Sequence, residues 1–290
     1  MQHLRIIIVL CCVLLNACAM SATQIGNTQN FGLATEKIGS VSENEMIAIR
    51  AGIVEMNKAL VILDRSKNSQ NLDFDKPTFA APTAVRVSAC KALRHYGDLL
   101  VHLASDDRAL SIRKSAITFM DNVNEATGGT LTSSQESILS TIITGFGYYW
   151  TEKAKAEAIA KIAAEYEPVV DRLADLLMAD FSLEDRDMGY LKAYQITAKR
   201  LQNSAMLIID GGEEYDLLER EKAVQAYFMA QTALVRSKEI GITMTSSILE
   251  LKKANHEMVK SIAEHGYNIA DFKEFGKQIQ KVNTMQKVLN

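Results

Sequence analysis

The chain has 290 residues, 48% hydrophobic and 23% charged, with 15 Gly and only 3 Pro, an ordinary globular composition with enough length for one or two cores. Disorder, collagen-like repeats and a small disulfide-knit scaffold are excluded. Lys plus Arg total 32 against 35 Asp plus Glu, so at net charge −3 there is no basic excess of the kind a nucleic-acid partner requires.

In chain order, Met1 to Arg5 form a short charged region, and Ile6 to Leu15 an unbroken apolar run followed by small residues around Cys18. About ten apolar residues span only about 15 Å as helix, half of the ~30 Å hydrocarbon layer, which reads as a secretion signal over residues 1–17 and not as a membrane span. The segment Leu15-Asn16-Ala17-Cys18 resembles the lipobox of bacterial lipoproteins. That resemblance implies cleavage before Cys18, a diacylglyceryl group on its thiol and, with Ala19 following, the outer membrane, the protein facing the periplasm. Ordinary signal cleavage after Ala17-Cys18-Ala19 is the competing reading and implies a soluble periplasmic protein. Cys11 and Cys12 leave with the signal, so Cys90 has no partner for a disulfide and reads as a buried, inert thiol.

Residues 18–41 are polar and aperiodic, the composition of a flexible tether between the anchor and a helical domain over 42–290. Ser42 with Glu45 reads as a capping box, and Met46, Ile49, Ile53, Met56, Leu60 and Leu63 follow in helical phase to about Arg65. A loop over 66–82 precedes a second helix after Thr83, phased on Ala89, Leu93, Tyr96, Leu100 and Leu103. A third runs from Asp106 and Asp107 to Gly128-Gly129. A capping box at Ser133 and Glu136 opens a phase that continues from Ile138 to Leu177, predicting one helix of up to ~70 Å. Gly145, Gly147 and Pro168 are the positions that could interrupt it.

A fifth helix is predicted from Leu183 to Ile209. A long sixth starts at Asp216 and Glu219 and passes Gly241 to His265-Gly266. A seventh, capped by Asn268, carries Phe272, Phe275, Ile279 and Val282. The expected fold is all-α: an elongated bundle of about seven helices, two of them very long, in a staggered three-helix arrangement similar to spectrin-type repeats in architecture only. Sub-bundles are expected over about 42–157, 157–242 and 243–290; the alternative is collapse at the glycines into one compact bundle.

No residue constellation specifies a reaction. His95, Asp98 and His102 share one helix face, but His95 and His102 lie about 10 Å apart along it, so Asp98 with His102 reads as a surface contact and no metal or cofactor site is expected. Glu152 and Asn255 each interrupt an apolar seam, where a buried polar residue can set register. Phe146, Tyr148, Tyr149 and Trp150 form the most distinctive cluster: part core, part candidate partner-binding anchor. The expected function is a non-enzymatic envelope lipoprotein, anchored to the membrane through its lipid, that acts as a scaffold or protein-binding module for an envelope protein. A carrier of lipid or a small apolar ligand is the alternative, and a membrane-active helical toxin a further one.

Overall fold

The computed structural model describes residues 22–64, 74–75, 77–105, 109–129, 131–144, 151–184 and 189–264. Seven α-helices account for nearly all of them: α1 (Ala22–Leu63), α2 (Pro77–Ala104), α3 (Ala109–Thr127), α4 (Ser133–Thr144), α5 (Glu152–Phe181), α6 (Tyr190–Asp210) and α7 (Leu217–Glu264), with no strand among the described residues. They share one continuous hydrophobic core. The fold is therefore an all-α bundle, and two of its helices are very long: α1 has 42 residues and α7 has 48, about 63 and 72 Å.

The tether expected over 18–41 is overturned from Ala22 onward. Helix α1 begins there, and Phe31, Ile38 and Val41 are buried in it. The seam read from Met46 onward runs backward through small residues: Ser42, Gly39, Thr35, Gly32 and Thr28 are all buried. Glycine in this stretch permits close helix packing. A Cβ on Gly39 would stand 2.5 Å from the Arg94 backbone nitrogen, and one on Gly97 2.3 Å from the Gly32 carbonyl oxygen, so α1 and α2 meet backbone to backbone. Ser42 and Glu45, expected to cap a helix start, lie buried in its middle.

Helix α2 starts at Pro77, earlier than expected, because a proline at a first helical position gives up no hydrogen bond. Its core phase is as read: Ala89, Leu93, Tyr96, Leu100 and Leu103 are buried. Helix α3 ends where Gly128 and Gly129 take φ of 69° and 79°.

The single helix expected from Ser133 through Leu177 is two. Thr151 is extended (φ −77°, ψ 150°) and its side chain accepts from the Ala154 nitrogen, so α5 starts afresh there. It continues through Pro168. The box at the start of α4 lies one residue earlier than read: Thr132 Oγ1 accepts from the Gln135 nitrogen, and Gln135 Oε1 accepts from the Thr132 nitrogen. Helix α6 starts at Tyr190, not near Leu183, after an extended Gly189 (φ −69°, ψ 170°) that lies so close to the end of α5 that a Cβ would stand 2.1 Å from the Ala179 carbonyl oxygen. Helix α7 opens at Asp216 and Glu219 as read, and the two form a capping box there, each side chain accepting from the other's backbone nitrogen. Gly241 lies inside an unbroken α7, where a Cβ would meet Leu183 and Leu191 at 3.1 to 3.3 Å. The helix expected after Asn268 lies outside the described residues.

Helices α1 and α7 run antiparallel. Phe31 packs on Tyr96, whose hydroxyl donates to Asn255 Oδ1 at 3.1 Å, while further along α1 Glu45 meets Arg236 at 3.0 Å. Helix α6, about half their length, covers the later part of α1 and the earlier part of α7; its Tyr194 ring lies against Gly52. The stagger is thus built on α1 and α7: the sequence reading rests it on the two very long helices predicted, the fourth and the sixth, of which the sixth is α7 and the fourth is replaced by α1. The remaining helices gather around the first half of α1 and the second half of α7.

Candidate functional site

Cys18, and Phe146, Tyr148, Tyr149 and Trp150, lie outside the described residues. The titratable residues singled out from sequence are placed. On α2, Asp98 accepts from the Ser115 hydroxyl at 2.5 Å and stands 3.2 Å from His102 Nε2, the i, i+4 contact expected. His95 is half-buried beside Arg94; burial first, then Arg94, hold its imidazole below the ordinary value, with Asp98 pulling the other way and Lys91 adding a smaller push down. Among the described residues no group of three His, Cys, Asp or Glu side chains could hold a metal ion. Cys90 is fully buried, and burial pushes its thiol far up, away from the reactive thiolate. Asn255 is buried as a register-setting residue would be, whereas Glu152 is exposed at the start of α5, 3.2 Å from Lys155.

Interior polar groups serve packing between helices. Arg86 of α2 pairs with buried Asp180 of α5 at 2.7 Å and stacks 5.4 Å from the Tyr190 ring, whose hydroxyl shares a 2.5 Å contact with Thr83 Oγ1. Burial raises the Asp180 carboxyl, with Arg86 pulling the other way. Asp180 Oδ1 also accepts from the Tyr190 nitrogen, so the group clasps the α5 to α6 turn onto α2. A second clasp joins the long helices, with Glu45 almost wholly buried against Arg236. Deep in the broad half, Phe31, Tyr96, Phe119 and Tyr166 form an aromatic ladder with steps of 6.4, 5.6 and 5.1 Å.

The surface behaves differently. Large apolar side chains stand in solvent along α6 and α7, foremost Leu207 (72% exposed) and Leu217 (85%), with Met206, Leu218, Val224 and Phe228. Several flank the α6 to α7 turn, which Gly212 makes at φ 61°. From the Glu45 to Arg236 pair, equal rise along antiparallel helices brings Leu63, the end of α1, level with Leu217 and Leu218 about 27 Å on. This apolar end therefore lies a helix length away from Ala22. Sequence reading missed these residues because it followed the seam. The signal available was Leu217, Val224 and Phe228 falling between seam positions of α7.

Fold and surface together define the class: a helical bundle with a packed interior and an apolar far end. Compared with family models, with curated proteins and with solved structures, the chain has no match.

Proposed function

We propose that this protein is a non-enzymatic helical scaffold of the bacterial envelope, anchored through a lipid on Cys18 in the outer membrane and facing the periplasm, whose far end engages an envelope protein. One observation carries this reading. Helix α1 starts four residues after Cys18 and runs about 63 Å, and the exposed Leu207 and Leu217 lie level with its other end. An anchor at one end and an apolar surface at the other suit a spacer that presents a contact site at a set distance from the membrane. Exposed apolar clusters of this kind are costly in water and mark interaction sites. The ligand-carrier alternative finds little in the pocket between α1, α2 and α5 lined by Ile25, Leu103 and Ile159, whose volume of about 10 Å³ admits roughly one water. No helix among the described residues is long and apolar enough to cross a membrane.

Two measurements test the proposal. Mass spectrometry of the N-terminal peptide from cells should find the chain starting at Cys18 with acyl groups on it; an unacylated terminus removes the anchor. A photo-crosslinking residue at Leu207 should give a discrete protein adduct in living cells, and the same residue at Glu157 on α5 should not. Equal labelling at both positions would remove the far-end contact site.

A further inference from the structure

Helix α7 is amphipathic twice over. Its buried seam repeats every seven residues as Ala223, Ala230, Ser237, Met244, Leu251 and Met258, with Ala226, Ala233, Ile240, Ser247 and Ala254 completing each heptad. With Ala223 as position a and Ala226 as d, position f is the one turned farthest from the core, where a helix packed on one side should carry polar residues. Here f holds Phe228, Val235, Ile242 and Leu249, exposed by 65%, 55%, 72% and 44%. A second apolar line, spaced as in a coiled coil, thus runs about 32 Å down the outside of the bundle.

The residues flanking that line say what covers it. On one side, at b, stand Leu217, Val224, Gln231, Lys238 and Thr245; on the other, at c, Leu218, Gln225, Thr232, Glu239 and Ser246. When two copies of a helix pack in parallel and in register across f, each b residue faces the neighbouring c residue of the other copy. Within the line the facing pairs are then Val224 with Gln225, Gln231 with Thr232, Lys238 with Glu239 and Thr245 with Ser246; the last three are matched in chemistry, and each pair is made twice by the two-fold axis. An antiparallel pair would set b against b and c against c, bringing Lys238 to Lys238 and Glu239 to Glu239 at its centre. The line is bounded by Glu221 at one end and by Lys252 and Lys253 at the other, where in-register copies place like charges together. We propose that the outer face of α7 is a homodimer interface, a parallel in-register seam from Val224 to Leu249 with a second copy of this chain. The inference stands on the α7 surface alone and is independent of the lipid anchor. It does place both N-termini at the same end, as two copies held in one membrane would need.

The test uses the whole protein. Sedimentation should give a dimer that dissociates on dilution, and Ile242→Cys should form an intermolecular disulfide with its own copy under mild oxidation. Lys238→Glu, which sets two glutamates against each other on both sides, should abolish both signals at unchanged helicity and melting temperature; Lys238→Glu with Glu239→Lys should restore them. A monomer at all concentrations with no 242 to 242 disulfide overturns the proposal, whether the face is bare or covered by residues 265–290 of the same chain. So does a dimer that Lys238→Glu leaves intact, or one that joins Val235→Cys to Ile242→Cys and gives no self-linked Ile242→Cys, which would be antiparallel.

Discussion

The broad and narrow halves of the bundle solve the same problem with different side chains. Around the first part of α1 and the later part of α7, the interior is filled by large rings and shut by hydrogen bonds: Tyr96 to Asn255, Tyr166 to the Gln135 carbonyl at 2.9 Å, and Gln135 to the Glu165 carbonyl at 2.8 Å. In the narrow half the later part of α1, α6 and the early part of α7 pack as three helices. There α7 contributes Ala223, Ala226, Ala230 and Ala233, and the larger residues, Ile53, Met56, Leu60, Leu201 and Ile208, come from its neighbours. A helix lined with alanine lies close to its partners but buries little area per residue, and most of the exposed large apolar side chains are found on this half. The difference shows where stability and contact are divided: one half closes its apolar surface inside, the other leaves much of it outside.

Substitutions ranked by effect can break that comparison. The largest loss is expected from Gly97→Val, which drives a side chain into the Gly32 carbonyl and the α1 backbone at Glu36; it should cost more than about 3 kcal/mol in urea unfolding. A cost under about 1 kcal/mol would show that α1 can stand away from α2, and that the broad half is not closed as described. Next comes Arg236→Met at the border of the two halves, which strands the buried Glu45 carboxylate and should cost about 3 kcal/mol. Adding Glu45→Leu should recover most of it, and a double-mutant cycle without coupling would deny the clasp between α1 and α7.

Ala230→Leu in the narrow half should cost about 1 to 2 kcal/mol, less than Gly97→Val, since a three-helix layer can splay where the crowded half cannot. If it unfolds the protein outright, the narrow half is as tightly packed as the broad one. The smallest effect is a pH dependence from His95. Its imidazole is held below the ordinary value in the fold, so the unfolded chain binds the proton more readily. Stability should therefore fall as pH drops from the ordinary imidazole value toward the lower folded one and change no further below it. His95→Gln should flatten that part of the stability curve, and an unchanged curve would exclude His95 as its source.

Much of the fold was legible because seams repeat. Ala89, Leu93, Tyr96, Leu100 and Leu103 share one helical phase in the sequence, and all are buried. What misled was treating polarity as looseness. Thr28, Gly32, Thr35, Gly39 and Ser42 hold the same alternation of three and four as Met46 to Leu60, and small residues on a seam allow two backbones to touch. Thr28 and Thr35 also return their hydroxyl protons to the carbonyls of Gln24 and Phe31, which removes the polar cost of burying them. The candidate surface was less legible, because an apolar residue off the seam looks like noise in one chain until the core it fails to join is known.

The pattern of residues by itself settled that this chain is helical, where most helices keep their apolar faces, and that Asp216 with Glu219 starts the longest one. These are local consequences of a 3.6-residue turn and of backbone groups that need partners at helix ends. Tertiary structure alone decided that α1 and α7 are antiparallel partners, that Asn255 faces inward while Glu152 does not, and that Phe228, Val235, Ile242 and Leu249 stay outside. Periodicity defines a face, but only the neighbours packed against a helix determine which of two faces is covered.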